Sequence, residues 1–202
     1  FGNYELHAAR GELEVLRRLA DFTIRTLFPH LGEPSPAVYG QWFAEVCRTT
    51  AELMVHWLRV GFVHGVMNTD NLSILGLTID YGPYGWLEDY DPLWTPNTTD
   101  AEGRRYCYGR QPTIAHWNLA QLANALHPLI GDPEPLEQGL TDYSRWFEEG
   151  WQATMAAKLG LVAFQAETDT TLTQDLLALL PAVETDMTLF YRHLADIPAG
   201  NA

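Results

Sequence analysis

Residues 61–83 read Gly61-Phe62-Val63-His64-Gly65-Val66-Met67-Asn68-Thr69-Asp70-Asn71-Leu72-Ser73-Ile74-Leu75-Gly76-Leu77-Thr78-Ile79-Asp80-Tyr81-Gly82-Pro83. Two short apolar runs, 72–75 and 77–79, flank Gly76. Runs of that length bounded by turn residues suit a small β-hairpin better than a helix. Such a hairpin carries Asn71 at its entrance and Asp80 at its exit, and the two ends of a hairpin lie close together. Asp70, Asn71 and Asp80 are then expected to turn two carboxylates and one carboxamide oxygen toward a common point. Hard oxygen donors suit Mg²⁺, which takes one or two carboxylates and completes its shell with water and substrate phosphate. Any one of the three alone is more simply a turn former. Their combination around one hairpin is what points to a cation.

The spacing carries a second signal. His64 is followed seven residues later by Asn71, and then by Asp80-Tyr81-Gly82. Protein kinases hold Mg²⁺ and phosphates with a His, an Asn at that distance and an Asp-Phe-Gly. The kinase catalytic base would stand two residues after the His, and here that position is Val66. Metal-holding residues are therefore kept while the usual phosphotransfer base is lost. His64 is expected to orient the loop through a backbone hydrogen bond, and Asn68 and Thr69 to stabilise its turn.

Working outward, 39–60 reads as a long buried helix with Trp42, Phe43, Val46, Leu53, Met54, Trp57 and Leu58 on one stripe, closed by Gly61. A shorter helix is predicted over 12–27, ended by Pro29, Gly32, Pro34 and Pro36. Residues 62–71 read as loop. The 83–110 stretch is rich in Gly, Pro, Tyr and Asp without periodicity, and loops of that length inside a domain are often functional. Its aromatic residues predict that it packs down. Arg104, Arg105 and Arg110 within it are expected to pair with Asp89, Asp91 or Glu102, or to touch a phosphate or substrate. Helices follow at 111–127, 143–159, 169–180 and 183–194, with 129–139 as a link. The expected fold class is mainly α, one domain over 1–202, with the small β element holding the polar site.

The net charge of −14, from 26 acidic and 12 basic residues, argues against a nucleic-acid surface, which needs Lys and Arg to neutralise phosphates. No apolar run approaches the roughly 20 residues that span a bilayer. Cys47 and Cys107 form neither a disulfide framework nor a zinc motif, which predicts reduced thiols in a cytoplasm-like compartment. The chain opens on Phe1 and reads as a portion of a longer polypeptide.

The run His64-Gly65-Val66-Met67-Asn68-Thr69-Asp70-Asn71 with 73–83 closely resembles the SelO family of protein adenylyltransferases, also called YdiU. Phe1-Gly2 with Glu5-Leu6, Gly103-Arg104-Arg105-Tyr106 with Gln111-Pro112, Trp117-Asn118-Leu119 with Leu122-Ala123, Lys158-Leu159-Gly160-Leu161 and 186–194 agree with it. The resemblance implies a protein-kinase-like fold, of which this chain is the helical C-lobe, and transfer of AMP from ATP to Ser, Thr or Tyr hydroxyls of proteins. It implies Asp70 as the catalytic proton acceptor, Asn71 and Asp80 as ligands of Mg²⁺ or Mn²⁺, and Asp80 beside the nucleotide phosphates. It further implies a cytoplasmic location in a bacterium and a mitochondrial one in a eukaryote. The family's glycine-rich loop and nucleotide-gripping Lys, Glu and Arg lie upstream of the matched portion, so these 202 residues alone are expected to be inactive. A cysteine that some bacterial members carry is Pro96 here, which removes the thiol at that position. A kinase-like phosphotransferase and a non-catalytic nucleotide-binding scaffold are the competing readings.

Overall fold

The computed structural model describes residues 1–197. Seven α-helices and one two-stranded sheet make up the described fold: α1 (Gly2–Ala9), α2 (Leu13–Leu27), α3 (Pro36–Val60), β1 (Phe62–Val63), β2 (Gly85–Trp86), α4 (Gln111–Ile130), α5 (Glu134–Leu159), α6 (Ala166–Leu179) and α7 (Met187–Leu194). No helix of the described residues is long and apolar enough to cross a membrane.

α3 is the axis of the molecule. Ser35 caps it by accepting the Val38 N–H, and Pro36 occupies its first turn, where a missing N–H costs nothing. Trp42, Phe43, Val46, Cys47, Ala51 and Met54 are fully buried along it. They pack against α4, α5 and the N-terminal helices in one continuous core that includes Leu119, Leu122, Leu126 and Tyr143. Gly61 ends the helix with φ 74°, a left-handed conformation that a side chain would oppose. That turn sends the chain directly into β1 and then the 64–82 loop, so the helix end sets where the polar loop begins.

Several boundaries differ from expectation. The anticipated hairpin over 72–79 contracts to a single antiparallel bridge, Leu72 to Thr78. Between them Ser73 closes a tight turn, its carbonyl accepting the Gly76 N–H and its hydroxyl the Leu75 N–H. Gly76 lies so close to Thr49 of α3 that a β-carbon would sit 3.0 Å from the Thr49 carbonyl oxygen. A run pinned that tightly has no room to extend a ladder. The sheet forms instead between two segments expected to be loop, with Phe62 opposite Trp86 and Val63 opposite Gly85.

The expected link at 129–139 is helical from Glu134, because Pro133 and Pro135 lie at a helix start, where proline is tolerated. α1 was not anticipated from periodicity. The 83–110 stretch packs down as expected. The Leu87 N–H bonds the Gly61 carbonyl, the Tyr90 N–H that of Thr185, and the buried Tyr108 hydroxyl the Leu58 carbonyl at 2.7 Å. Cys47 and Cys107 are both buried and unpaired with each other.

Candidate functional site

His64 organises the polar loop. Its side chain is fully buried, and its Nδ1 accepts the Val66 N–H at 3.3 Å. Nε2 therefore carries the proton and donates to the Ile79 carbonyl at 2.8 Å. Burial pushes its pKa below the ordinary value, outweighing the Ile79 bond and the nearby Asp80 charge, so the ring works as a neutral strut. This is the orienting role expected from the sequence, and it holds the residue next to Asp80.

Asn71 is anchored to the same segment. Its Nδ2 donates to the Val66 carbonyl at 2.9 Å, which leaves Oδ1 as the free acceptor. Asn68 caps the short turn Thr69–Asn71, its Oδ1 accepting the N–H groups of Asp70 and Asn71 at 3.1 and 3.2 Å. Asn71 and the Ile79 carbonyl, one residue before Asp80, are thus both tied to one three-residue support, 64–66, by two independent hydrogen bonds. Asp80 itself has φ 52°, a backbone state uncommon outside glycine and best tolerated by Asp and Asn.

Asp70, in the same short turn, is exposed. It lines a cleft of about 220 Å³ together with Phe1, Gly2, Leu72 and Ile79. Phe1 and Gly2, at the start of α1, pack against this turn. A β-carbon at Gly2 would overlap Asp70 Oδ1 and come within 2.9 Å of its Cγ and 3.3 Å of its Cα. Glycine is needed there for close approach to a carboxylate.

Among the described residues, neither Asp70 nor Asp80 makes an ion pair or side-chain hydrogen bond, and no donor reaches Asn71 Oδ1. Nor does any group of three or more His, Cys, Asp or Glu there form a metal cage. Asp70, Asn71 and Asp80 therefore keep unused acceptor oxygens, the kind of hard donor that Mg²⁺ takes beside phosphate and water. A larger cavity of about 540 Å³, lined by Trp57, Phe62, Tyr81, Tyr84 and Trp86, contains none of the three. Its rings pack edge-on against one another, Tyr81 to Tyr84 at 5.2 Å and Tyr84 to Trp86 at 5.4 Å.

Three supporting residues escaped the sequence reading. Gln111, fully buried, accepts the His64 N–H at 3.0 Å and donates to the Phe62 carbonyl at 2.8 Å. Asn118 of α4 donates to the Met67 carbonyl at 2.8 Å, and Asn97 to that of Gly65 at 3.0 Å. A polar residue on the apolar face of a predicted helix, as at 118, was the available signal. The expected pairing of Arg104, Arg105 and Arg110 with Asp89, Asp91 or Glu102 does not occur among the described residues. Arg104 and Arg110 instead donate to backbone carbonyls, and Arg105 lies over Trp117.

Gln111, Asn118 and Asn97 all bond backbone groups of the 62–67 segment, and comparison with known proteins identifies the family. The family model described as "Protein adenylyltransferase SelO" matches residues 1–201, and the chain belongs to that family. It is 60% identical over 99% of its length to a protein nucleotidyltransferase YdiU of Rhodopirellula baltica, and 60% identical over 98% to one of Nitrosospira multiformis. A third, from Aromatoleum aromaticum, is 57% identical over 98% of this chain. The chain spans 38%, 35% and 38% of those relatives' lengths.

Proposed function

We propose that this chain is the helical lobe of a protein-kinase-like fold and that, in a polypeptide of its relatives' length, it takes part in transferring AMP from ATP to hydroxyls of protein Ser, Thr or Tyr. The observation that carries this reading is the attachment of Asn71, and of Ile79 just before Asp80, to the single support 64–66. The names of the family and of its nucleotidyltransferase members support it.

In this reading the acceptor oxygen bonds to the α-phosphorus of ATP while the bond from that phosphorus to the α–β bridging oxygen breaks, and pyrophosphate leaves. Asp70, exposed and free of any ion pair, takes the hydroxyl proton. Asn71 Oδ1 and the Asp80 carboxylate would hold Mg²⁺ or Mn²⁺, which would supply positive charge to offset the negative charge on the phosphate oxygens. Val66 in place of a kinase base accords with attack at a different phosphorus, served by a carboxylate at another position. His64, Gln111, Asn97 and Asn118 position the loop through bonds to its backbone.

Parallel incubation of the full-length protein with α-labelled and γ-labelled ATP tests the reading. Covalent label from the α position alone is expected. Label from the γ position selects a phosphotransferase, and tight Mg-ATP binding without either label selects a scaffold.

Gly2→Ala gives a sharper check on Asp70. Alanine is the better helix former, so α1 is not weakened by propensity. The methyl group must instead displace the Asp70 carboxylate, and a misplacement of about 1 Å lowers transfer by roughly a hundred-fold. The expected result is a fall in kcat with the KM for ATP unchanged. A wild-type kcat would show that the carboxylate does its work from another rotamer, or does none.

A further inference from the structure

Arg104, Arg105 and Arg110 place three of the chain's twelve basic residues within seven positions. Elsewhere in this acidic molecule Arg25 pairs with Glu33, Arg48 with Glu52, and Arg145 with Asp142 and Glu149. The exposed Arg10, Arg18, Arg59 and Arg192 stand without a carboxylate within ion-pair distance among the described residues, and the loop arginines differ from these in being clustered. The three loop arginines are exposed, and none has a carboxylate within ion-pair distance among the described residues. Asp100, a near neighbour in sequence, has both oxygens occupied by the backbone N–H groups of Arg105 and Tyr106, at 2.9 and 2.7 Å.

That arrangement holds a turn open for something else. Arg104 has φ 46°, and the Arg110 guanidinium clamps the turn from the other side by donating to the carbonyls of Gly103 and Arg104 at 3.0 and 3.2 Å. The Arg105 guanidinium carbon lies 4.8 Å from the ring centre of Trp117, which is 44% exposed. A guanidinium stacked on an aromatic face keeps its in-plane N–H fork available, and that fork matches a carboxylate. Position completes the case. Asn97, three residues before Asp100, grips Gly65, and Asn118, next to Trp117, grips Met67. The basic turn and its aromatic backing each adjoin a side chain that holds the 64–71 loop.

We infer that Arg104, together with Arg105 backed by Trp117, forms a docking surface for acidic side chains flanking the acceptor hydroxyl of a protein substrate. The inference rests on the AMP-transfer reading and narrows its substrate class.

The test uses the full-length protein, α-labelled ATP and two peptides identical except that a central Ser is flanked by Glu in one and Gln in the other. The Glu peptide is expected to show a KM lower by about ten-fold, a gap that shrinks as salt is raised. Arg104→Gln with Arg105→Gln is expected to erase the preference, leaving the KM for ATP and labelling of the Gln peptide within about two-fold. The double Lys variant, which keeps the charge, retains part of the preference and stands in should the Gln variant fold poorly. Equal KM values for the two peptides in the wild type overturn the inference. So does a Gln variant that raises the KM for ATP while the peptide preference survives, since the guanidiniums then serve nucleotide phosphate. Absence of α-label from both peptides and from a mixture of cell proteins overturns the transfer reading and this inference with it, whereas label spread evenly over both peptides removes this inference alone.

Discussion

Asp80→Ala in the full-length protein is expected to lower AMP incorporation by about a thousand-fold and to weaken Mg-ATP binding, because it removes a charged ligand where phosphate charge must be offset. Asp80 also occupies a left-handed backbone state, at φ 52°. Alanine there adds roughly 1–2 kcal/mol of backbone cost that has nothing to do with the metal. Asp80→Asn separates the two contributions, since asparagine tolerates that conformation while giving up the charge. Asp70→Asn is the counterpart. It should leave Mg-ATP binding intact and reduce transfer by about a hundred- to ten-thousand-fold, the range for loss of a general base. Calorimetric Mg-ATP titrations beside α-label incorporation measure both. Unchanged labelling in Asp80→Ala would remove the proposed role of that carboxylate.

Gln111→Leu should produce the largest loss of stability available from a single buried side chain near the site. Leucine cannot replace either bond of the amide, so the His64 N–H and the Phe62 carbonyl are left buried without partners. Each orphaned group costs about 1–3 kcal/mol, giving roughly 2–6 kcal/mol in total. Domains of this kind are typically stable by about 5–15 kcal/mol, so the midpoint of denaturant unfolding should fall sharply. Gln111→Glu keeps an acceptor for His64 but loses the donor to Phe62 and buries a charge. It should also destabilise. A Leu variant within about 0.5 kcal/mol of wild type would mean that water or backbone movement re-satisfies both groups.

The helical scaffold was largely legible because its signals are local. The apolar stripe of α3, its Gly61 stop and the Pro-Gly cluster after α2 each follow from short-range rules, and the core side chains lie where the stripe places them. The role of Asn68 was legible for the same reason, its partners lying two and three residues on, whereas that of His64, bonded 15 positions away, was legible from the His64–Asn71 spacing. What could not be read was long-range. β1 pairs with β2 across some twenty residues of irregular chain, and neither strand alternates in polarity long enough to be recognised. The 72–79 hairpin failed because its turn is pressed onto Thr49, a contact that no property of 72–79 encodes. Gln111 and Asn118 looked like ordinary helix residues, and their partners lie 47 to 51 positions away. The seating of Gly2 against Asp70 spans a similar distance in sequence and has no local signature.

The shared support at 64–66 has a thermodynamic consequence. Because the His64 ring and the Val66 carbonyl belong to one short stretch whose ends are themselves fastened by Gln111 and Asn97, thermal fluctuation displaces Asn71 and the 79–80 backbone together rather than separately. In the proposed reading, a cation held by Asn71 and Asp80 would not have to freeze two independent strands of chain. Most of that configurational entropy has already been surrendered during folding, so more of the gross coordination energy is left to appear as affinity.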